Sequence, residues 1–258
     1  MTMTGKTTVT RIASHRGGTL EFGDSTWAGF TATAAMAVDE VEFDLHPTAD
    51  GRIIVHHDAT LDRTTDTCGV IAAMTAAEVR AAIVDHAGAG FRHPLYVEEL
   101  CAIFTESPVA FRCEIKPGPD GRPYPGFVPK AIAALDAGGK LATATFSSFL
   151  LDTLTDLAEA TDRPALWLVS PPILIQLGPR GVIDIARLRG IAEIGVHIDT
   201  AGPSLKMMTE EAGLSFGCWA AHTRPQIEKA FDLGVKVFTT DRPTLAIAIR
   251  DARQETRP

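Results

Sequence analysis

Short apolar runs alternate with longer amphipathic stretches along the whole chain. Eight of the short runs have the length and the β-branched or aromatic content of strands: residues 9–14, 41–45, 109–115, 142–147, 165–169, 193–198, 214–219 and 235–239. Helical periodicity predicts elements over 26–37, 75–82, 97–105, 128–137, 149–159, near 182–188, 204–212 and 225–233, with 243–253 closing the chain. Strands that alternate with helices pair in parallel through helical crossovers. Eight such units predict an α/β fold of the (β/α)8 TIM-barrel type, formed as one domain over residues 1–258. A doubly wound open sheet is the competing architecture.

Within residues 41–65, VEFDLHPTADGRIIVHHDATLDRTT, the stretch 46–57 is extra to the simple alternation. Glu42 and Asp44 lie two apart among Val41, Phe43 and Leu45, so a strand turns both acids to one face and the apolar residues to the other. The Thr-Ala-Asp-Gly turn and the run 52–55 then predict a short hairpin-like excursion after the second strand, which returns His56, His57 and Asp58 to the barrel mouth. A second irregular stretch, 117–129, is dense in Pro and Gly and follows the third strand. Loops in that position commonly carry function in barrels.

Composition narrows the partners. With 45% hydrophobic and 22% charged residues the chain is ordinary for a soluble globular protein. A net charge of −8 with no block of like charges argues against a nucleic-acid footprint or a polybasic membrane patch, so an anionic substrate requires local cations or a metal. No apolar run approaches the ~18 residues that span a bilayer, and the N-terminus carries no continuous apolar segment. The expectation is a cytoplasmic protein without stable membrane insertion, compatible with a homo-oligomer. Cys68, Cys101, Cys113 and Cys218 have no paired spacing and read as reduced core thiols.

Polar residues collect at strand ends. His15 and Arg16 follow the first strand, Glu42 and Asp44 lie on the second, and Glu114 and Lys116 alternate at the end of the third. Three carboxylates suit one hard divalent cation, Mg2+ or Ca2+, which takes oxygen ligands and keeps waters for a substrate to replace. Two histidines beside it, His15 and His57, carry protons near neutral pH.

Five motifs in register then resemble the glycerophosphodiester phosphodiesterase family: Ala13-Ser14-His15-Arg16-Gly17-Gly18, Glu42-x-Asp44, His57-Asp58 with Leu61-x-Arg63-Thr64-Thr65, Glu114-Ile115-Lys116, and Thr240-Asp241-x-Pro243. The resemblance implies a metal-dependent TIM-barrel hydrolase of small phosphodiesters. By position, Glu42, Asp44 and Glu114 would hold the metal, His15 and His57 would act as acid and base, and Arg16 and Lys116 would hold the phosphate. Two departures bear on the substrate. Gly23-Asp24-Ser25-Thr26 stands where the family usually has Pro-Glu-Asn-Thr, so Asp24 is expected to alter the surroundings of His15 or the metal. Trp219-Ala220-Ala221-His222 replaces the usual Trp-Thr-x-Asn, so Trp219 and His222 are expected to contact the substrate, and a sugar phosphodiester becomes a variant of the glycerol one. Arg63 reads equally as a loop anchor or a substrate contact, His197 as a residue of the mouth or a structural one, and Asp241 as the N-cap of the last helix. The alternatives are a sphingomyelinase D-like lipid phosphodiesterase and a catalytically silent barrel that binds phosphorylated sugars.

Overall fold

The computed structural model describes residues 9–86, 88 and 90–255. Eight parallel strands close on themselves: β1 (Arg11–His15), β2 (Glu40–Pro47), β5 (Ala110–Ile115), β6 (Ala144–Ser148), β7 (Ala165–Val169), β8 (Glu193–His197), β9 (Ser215–Trp219) and β10 (Val237–Thr240). Pairing of β1 with both β2 and β10 completes the ring, so the fold is the (β/α)8 barrel and not the open sheet. Helices α1 (Thr19–Phe22), α2 (Trp27–Ala35), α4 (Val97–Ile103), α5 (Phe127–Ala137), α6 (Leu151–Ala160), α7 (Pro171–Leu188), α8 (Pro203–Glu211), α9 (Arg224–Leu233) and α10 (Pro243–Glu255) follow the barrel strands. Two short strands, β3 (Ile53–Val55) and β4 (Leu95–Tyr96), and α3 (Ala76–Ala81) belong to the excursion after β2.

That excursion is larger than the stretch 46–57 expected from sequence. The far end of β2 pairs antiparallel with β3, and β3 with β4, so the insertion runs on to Tyr96. It has a small core of its own in Ile54, Leu61, Ile71, Val79 and Ala82. Burial of these side chains, at ~25 cal/mol per Å2 of apolar surface, lets the insertion hold a fixed shape over the barrel.

Two other expectations change. Helix α7 begins at Pro171, well before residue 182, with Ser170 as N-cap and a break at Gly178, where φ is 68°. Its first half exposes Ile173, Ile175 and Leu177, so no amphipathic pattern announces it. Cys68 is exposed; only Cys101, Cys113 and Cys218 are core thiols.

Along β2 the two-residue period holds throughout. Val41, Phe43 and Leu45 enter the apolar shell between sheet and helices, while Glu40, Glu42, Asp44 and His46 share the opposite, inward face. The barrel floor is ionic: buried Arg112 on β5 donates to Glu40 at 2.6 Å and to Glu193 at 3.1 Å, and Arg11 and Lys236 pair with these same acids. Above the floor, Gly195 and Gly217 stand where bulky residues usually fill a barrel. A cavity of about 260 Å3 therefore runs from His15, His57 and His222 at the mouth down to Arg112 and Glu193.

Candidate active site

Register explains why distant acids meet. His15 on β1 lies opposite Glu42 on β2, and Asp44 lies opposite Glu114 on β5. Strands at ~4.8 Å spacing bring such partners together on the inward face. One carboxylate oxygen from each of Glu42, Asp44 and Glu114 falls within 4.8 Å of the others, and all three residues are buried. Two cations hold the cluster: Arg16 Nε is 3.1 Å and Lys116 Nζ 3.5 Å from Asp44, and Lys116 is 2.9 Å from Glu114.

These charges polarise one another. Burial pushes the Asp44 carboxyl up, but Lys116 and Arg16 outweigh it and hold Asp44 well below the usual carboxylate range. Burial and the neighbouring Asp44 drive Glu42 well above that range. Burial also raises Glu114, to about 7, against the pull of Lys116. Both Asp44 oxygens, Glu42 Oε2 and Glu114 Oε1 are buried, and their partners are the charged groups of Arg16 and Lys116 and the longer contact of Glu42 with His15. Three buried carboxylates converging in one cluster, with no neutral hydrogen-bond donor on these oxygens, fit a hard divalent cation.

Each of the two histidines is held by an aspartate. His15 Nδ1 lies 2.5 Å from Asp241 Oδ1, and its Nε2 lies 3.7 Å from Glu42. His57 Nδ1 lies 2.5 Å from Asp58 Oδ1. A carboxylate only accepts, so both rings carry a proton on Nδ1 and turn Nε2 to other partners. Burial holds the His57 ring below its ordinary pKa, against the opposing pull of Asp44.

Asp241 is not the N-cap of α10. Its carboxylate turns to His15, and the first turn of α10 is satisfied by Glu21, which accepts from the Thr244 N–H at 3.1 Å and the Thr244 hydroxyl at 2.5 Å. The signal for Asp241 was its place in Thr240-Asp241-x-Pro243; the signal for Asp58 was its adjacency to His57.

The remaining candidates surround this centre. Arg63 donates to Asp58 at 2.6 Å and to Asp24 at 3.2 Å, and Arg16 also donates to Asp24 at 3.0 Å. Asp24 thus joins the arginine beside the carboxylates to the loop that supports His57. His222 Nδ1 accepts from the Asp241 N–H at 3.0 Å, so a neutral His222 ring carries its proton on Nε2. Trp219 packs edge-on against Phe149 and His197, and its buried indole N–H has no partner. Both Trp219 and His222 line the cavity; His197, 4.6 Å from Trp219 between ring centres, stands behind it. Arg16 and Ala220 adopt φ of 50° and 63°, a left-handed conformation that is costly without glycine and commonly stored at functional sites.

The model of the glycerophosphoryl diester phosphodiesterase family matches residues 15–245, from His15 through the segment holding Asp241. The chain belongs to that family. Glycerophosphoryl diester phosphodiesterases are phosphoric diester hydrolases, and this chain is an enzyme of that class. A candidate glycerophosphoryl diester phosphodiesterase of Agrobacterium tumefaciens, known from a crystal structure, is 62% identical; the match covers 96% of this chain and 99% of that one with a TM-score of 0.94. The glycerophosphodiester phosphodiesterase of Caldanaerobacter subterraneus is 26% identical over 92% of this chain and 96% of its own length. A phosphodiesterase of Oleispira antarctica, solved with its product sn-glycerol-3-phosphate, shares the fold at 19% identity and a TM-score of 0.77, covering 94% and 97% of the two chains. Among the described residues no helix is long and apolar enough to cross a membrane.

Proposed function

We propose that this phosphodiesterase hydrolyses small glycerol- or sugar-linked phosphodiesters to a phosphomonoester and an alcohol, with one divalent cation held by Glu42, Asp44 and Glu114. The observation that carries this reading is the pair of aspartate-backed histidines beside three buried, converging carboxylates. When bound, the cation would neutralise non-bridging phosphate oxygens and polarise phosphorus. Arg16 and Lys116 bring positive charge to the same oxygens and orient the diester. Three carboxylates against two cations leave this cluster anionic; a dication reverses its sign, and the single charge of a phosphodiester then balances it.

His15 and His57 divide the proton work. Each ring is fixed by its Nδ1–H, so each offers Nε2: one takes the proton of the attacking hydroxyl, and the other returns a proton to the departing oxygen. Asp241 and Asp58 stabilise whichever ring becomes imidazolium. His57→Ala is expected to lower kcat by ~10²–10⁴-fold on a diester with an alkoxide leaving group while leaving divalent binding measurable by calorimetry. Native-like turnover would reject the assignment.

The cavity sets the size of the alcohol. Leu166, Leu168 and Val237 give the lining apolar faces, Ser147 and Thr239 supply hydroxyls, and the Arg112 layer closes the bottom. That chemistry suits a compact polyol or sugar, with carbon faces on the leucines and hydroxyls on polar edges. Gly195→Val narrows the space; even its Cβ would approach the movable Leu166 Cδ1 to 3.1 Å. Turnover of a sugar diester is expected to fall ~10-fold or more while the smallest diester is nearly spared. Equal loss on both would count against this use of the cavity.

One observation favours a second reading, a lipid-bearing diester. Ile173, Ile175 and Leu177 are exposed on the part of α7 that follows β7 at the mouth, an apolar rim on which an acyl chain could rest. A substrate panel of glycerophosphodiesters, sugar phosphodiesters and lysophospholipids, each with Mg2+ and with Ca2+, separates the two readings.

A further inference from the structure

His46 lies on β2 two residues beyond Asp44, 1% exposed, outside both the carboxylate cluster and the two rings that exchange protons. Each of its ring nitrogens meets one partner. Nε2 is 3.1 Å from the carbonyl oxygen of His57, and Nδ1 is 2.9 Å from the hydroxyl of Tyr124. A carbonyl only accepts, so Nε2 carries the ring proton. In the neutral ring with its proton on Nε2, Nδ1 keeps a lone pair, so the Tyr124 hydroxyl donates to it. Only one direction of donation satisfies the whole chain: Tyr124 O–H to His46 Nδ1, then His46 Nε2–H to the His57 carbonyl.

We propose that His46 and Tyr124 are positioning residues that fix the backbone of His57 and hence the place of its Nε2. The inference rests on the reading of His57 as a proton carrier. Asp58 cannot do this alone: it is the next residue in the chain and moves with His57, so it sets the ring's tautomer and rotation but not its distance from the barrel. The excursion is tied to β2 one residue earlier, where the His56 N–H donates to the Asp44 carbonyl at 3.0 Å. His46 adds a tie at His57 itself, from the strand that carries Glu42 and Asp44. Tyr124 is in turn braced edge-on against His46 and Phe127, with ring centres 5.7 and 5.8 Å apart. It belongs to the loop that follows Lys116. A single hydrogen-bonded chain therefore joins the loop after the lysine, the strand of the carboxylates and the segment of the histidine.

The test compares His46→Gln with His46→Met, two side chains of similar volume of which only glutamine can donate to the His57 carbonyl. The glutamine variant is expected to keep most of the native kcat, whereas the methionine variant loses up to roughly 100-fold in kcat with KM little changed. Tyr124→Phe falls between them. In a His57→Ala background, His46→Met is expected to cost nothing further, because it acts through His57. Long-range 1H–15N spectra of the metal-free protein give an activity-independent readout: the His57 ring signals shift in His46→Met and stay in His46→Gln. The proposal is overturned if methionine serves as well as glutamine, if the loss persists without His57, or if the His57 ring signals ignore the methionine. Full activity of His57→Ala would instead sink the acid–base reading, and the ring spectra would still decide whether His46 fixes that residue.

Discussion

Asp44→Asn is expected to lower kcat/KM on a phosphodiester by at least ~10³-fold, since removing a charge that helps hold a Lewis-acidic cation forfeits several kcal/mol of transition-state stabilisation. The change is nearly isosteric, so the effect is electrostatic. Asp44 is the hub of the cluster, 1% exposed in its side chain, with Arg16 on one oxygen and Lys116 on the other. Neutralising it leaves two largely buried cations without their shared counter-charge. Breaking a buried pair in this way costs about 3–5 kcal/mol, so the metal-free variant is also expected to denature at lower urea concentration. Calorimetric titration with Mg2+ and Ca2+ should show weakened binding alongside the loss of activity. Unchanged divalent affinity would remove Asp44 from the ligand set.

Removing divalent cations should give the protein an unusual pH dependence. Glu42 and Glu114 have folded-state pKa values raised by burial, Glu114 to about 7, whereas an unfolded glutamate titrates near 4.5. Between those limits the folded chain holds protons that the unfolded chain has lost. Stability in chelator is therefore fully present below about pH 4.5 on this account and falls as pH rises through about 7. A divalent cation reverses the slope, because binding expels these protons and so strengthens with pH. At a cation concentration of 100 times Kd the gain is about 2.7 kcal/mol, or roughly 5–10 °C in melting temperature for a chain of this size. Melting curves across pH with chelator and with excess cation, together with calorimetry in buffers of different ionisation enthalpy, would check both parts. Parallel slopes, or binding without proton release, would contradict the assignment of Glu42 and Glu114.

Much of this was legible in the sequence, for identifiable reasons. The period of two along residues 41–45 places Glu42 and Asp44 on one face whatever surrounds them, and barrel topology then brings in His15 and Glu114. The role of Asp241 was hidden because an acid two residues before a proline also suits a helix start. Its partner, His15, lies 226 residues away. His46 and Tyr124 were hidden for a different reason: their hydrogen bond depends on the path of an irregular Pro- and Gly-rich loop, which no periodicity encodes. The first half of α7 escaped because exposed isoleucines carry no facial pattern, and the extent of the excursion because β4 is only two residues long.

The bond between His15 and Asp241 also crosses the seam at which the barrel closes. His15 stands at the end of the first strand, and the carboxylate that sets its tautomer follows the last, which docks on β1 to complete the ring. The pair that sets the His15 tautomer therefore exists only in the closed ring, and opening the seam between β1 and β10 would release it.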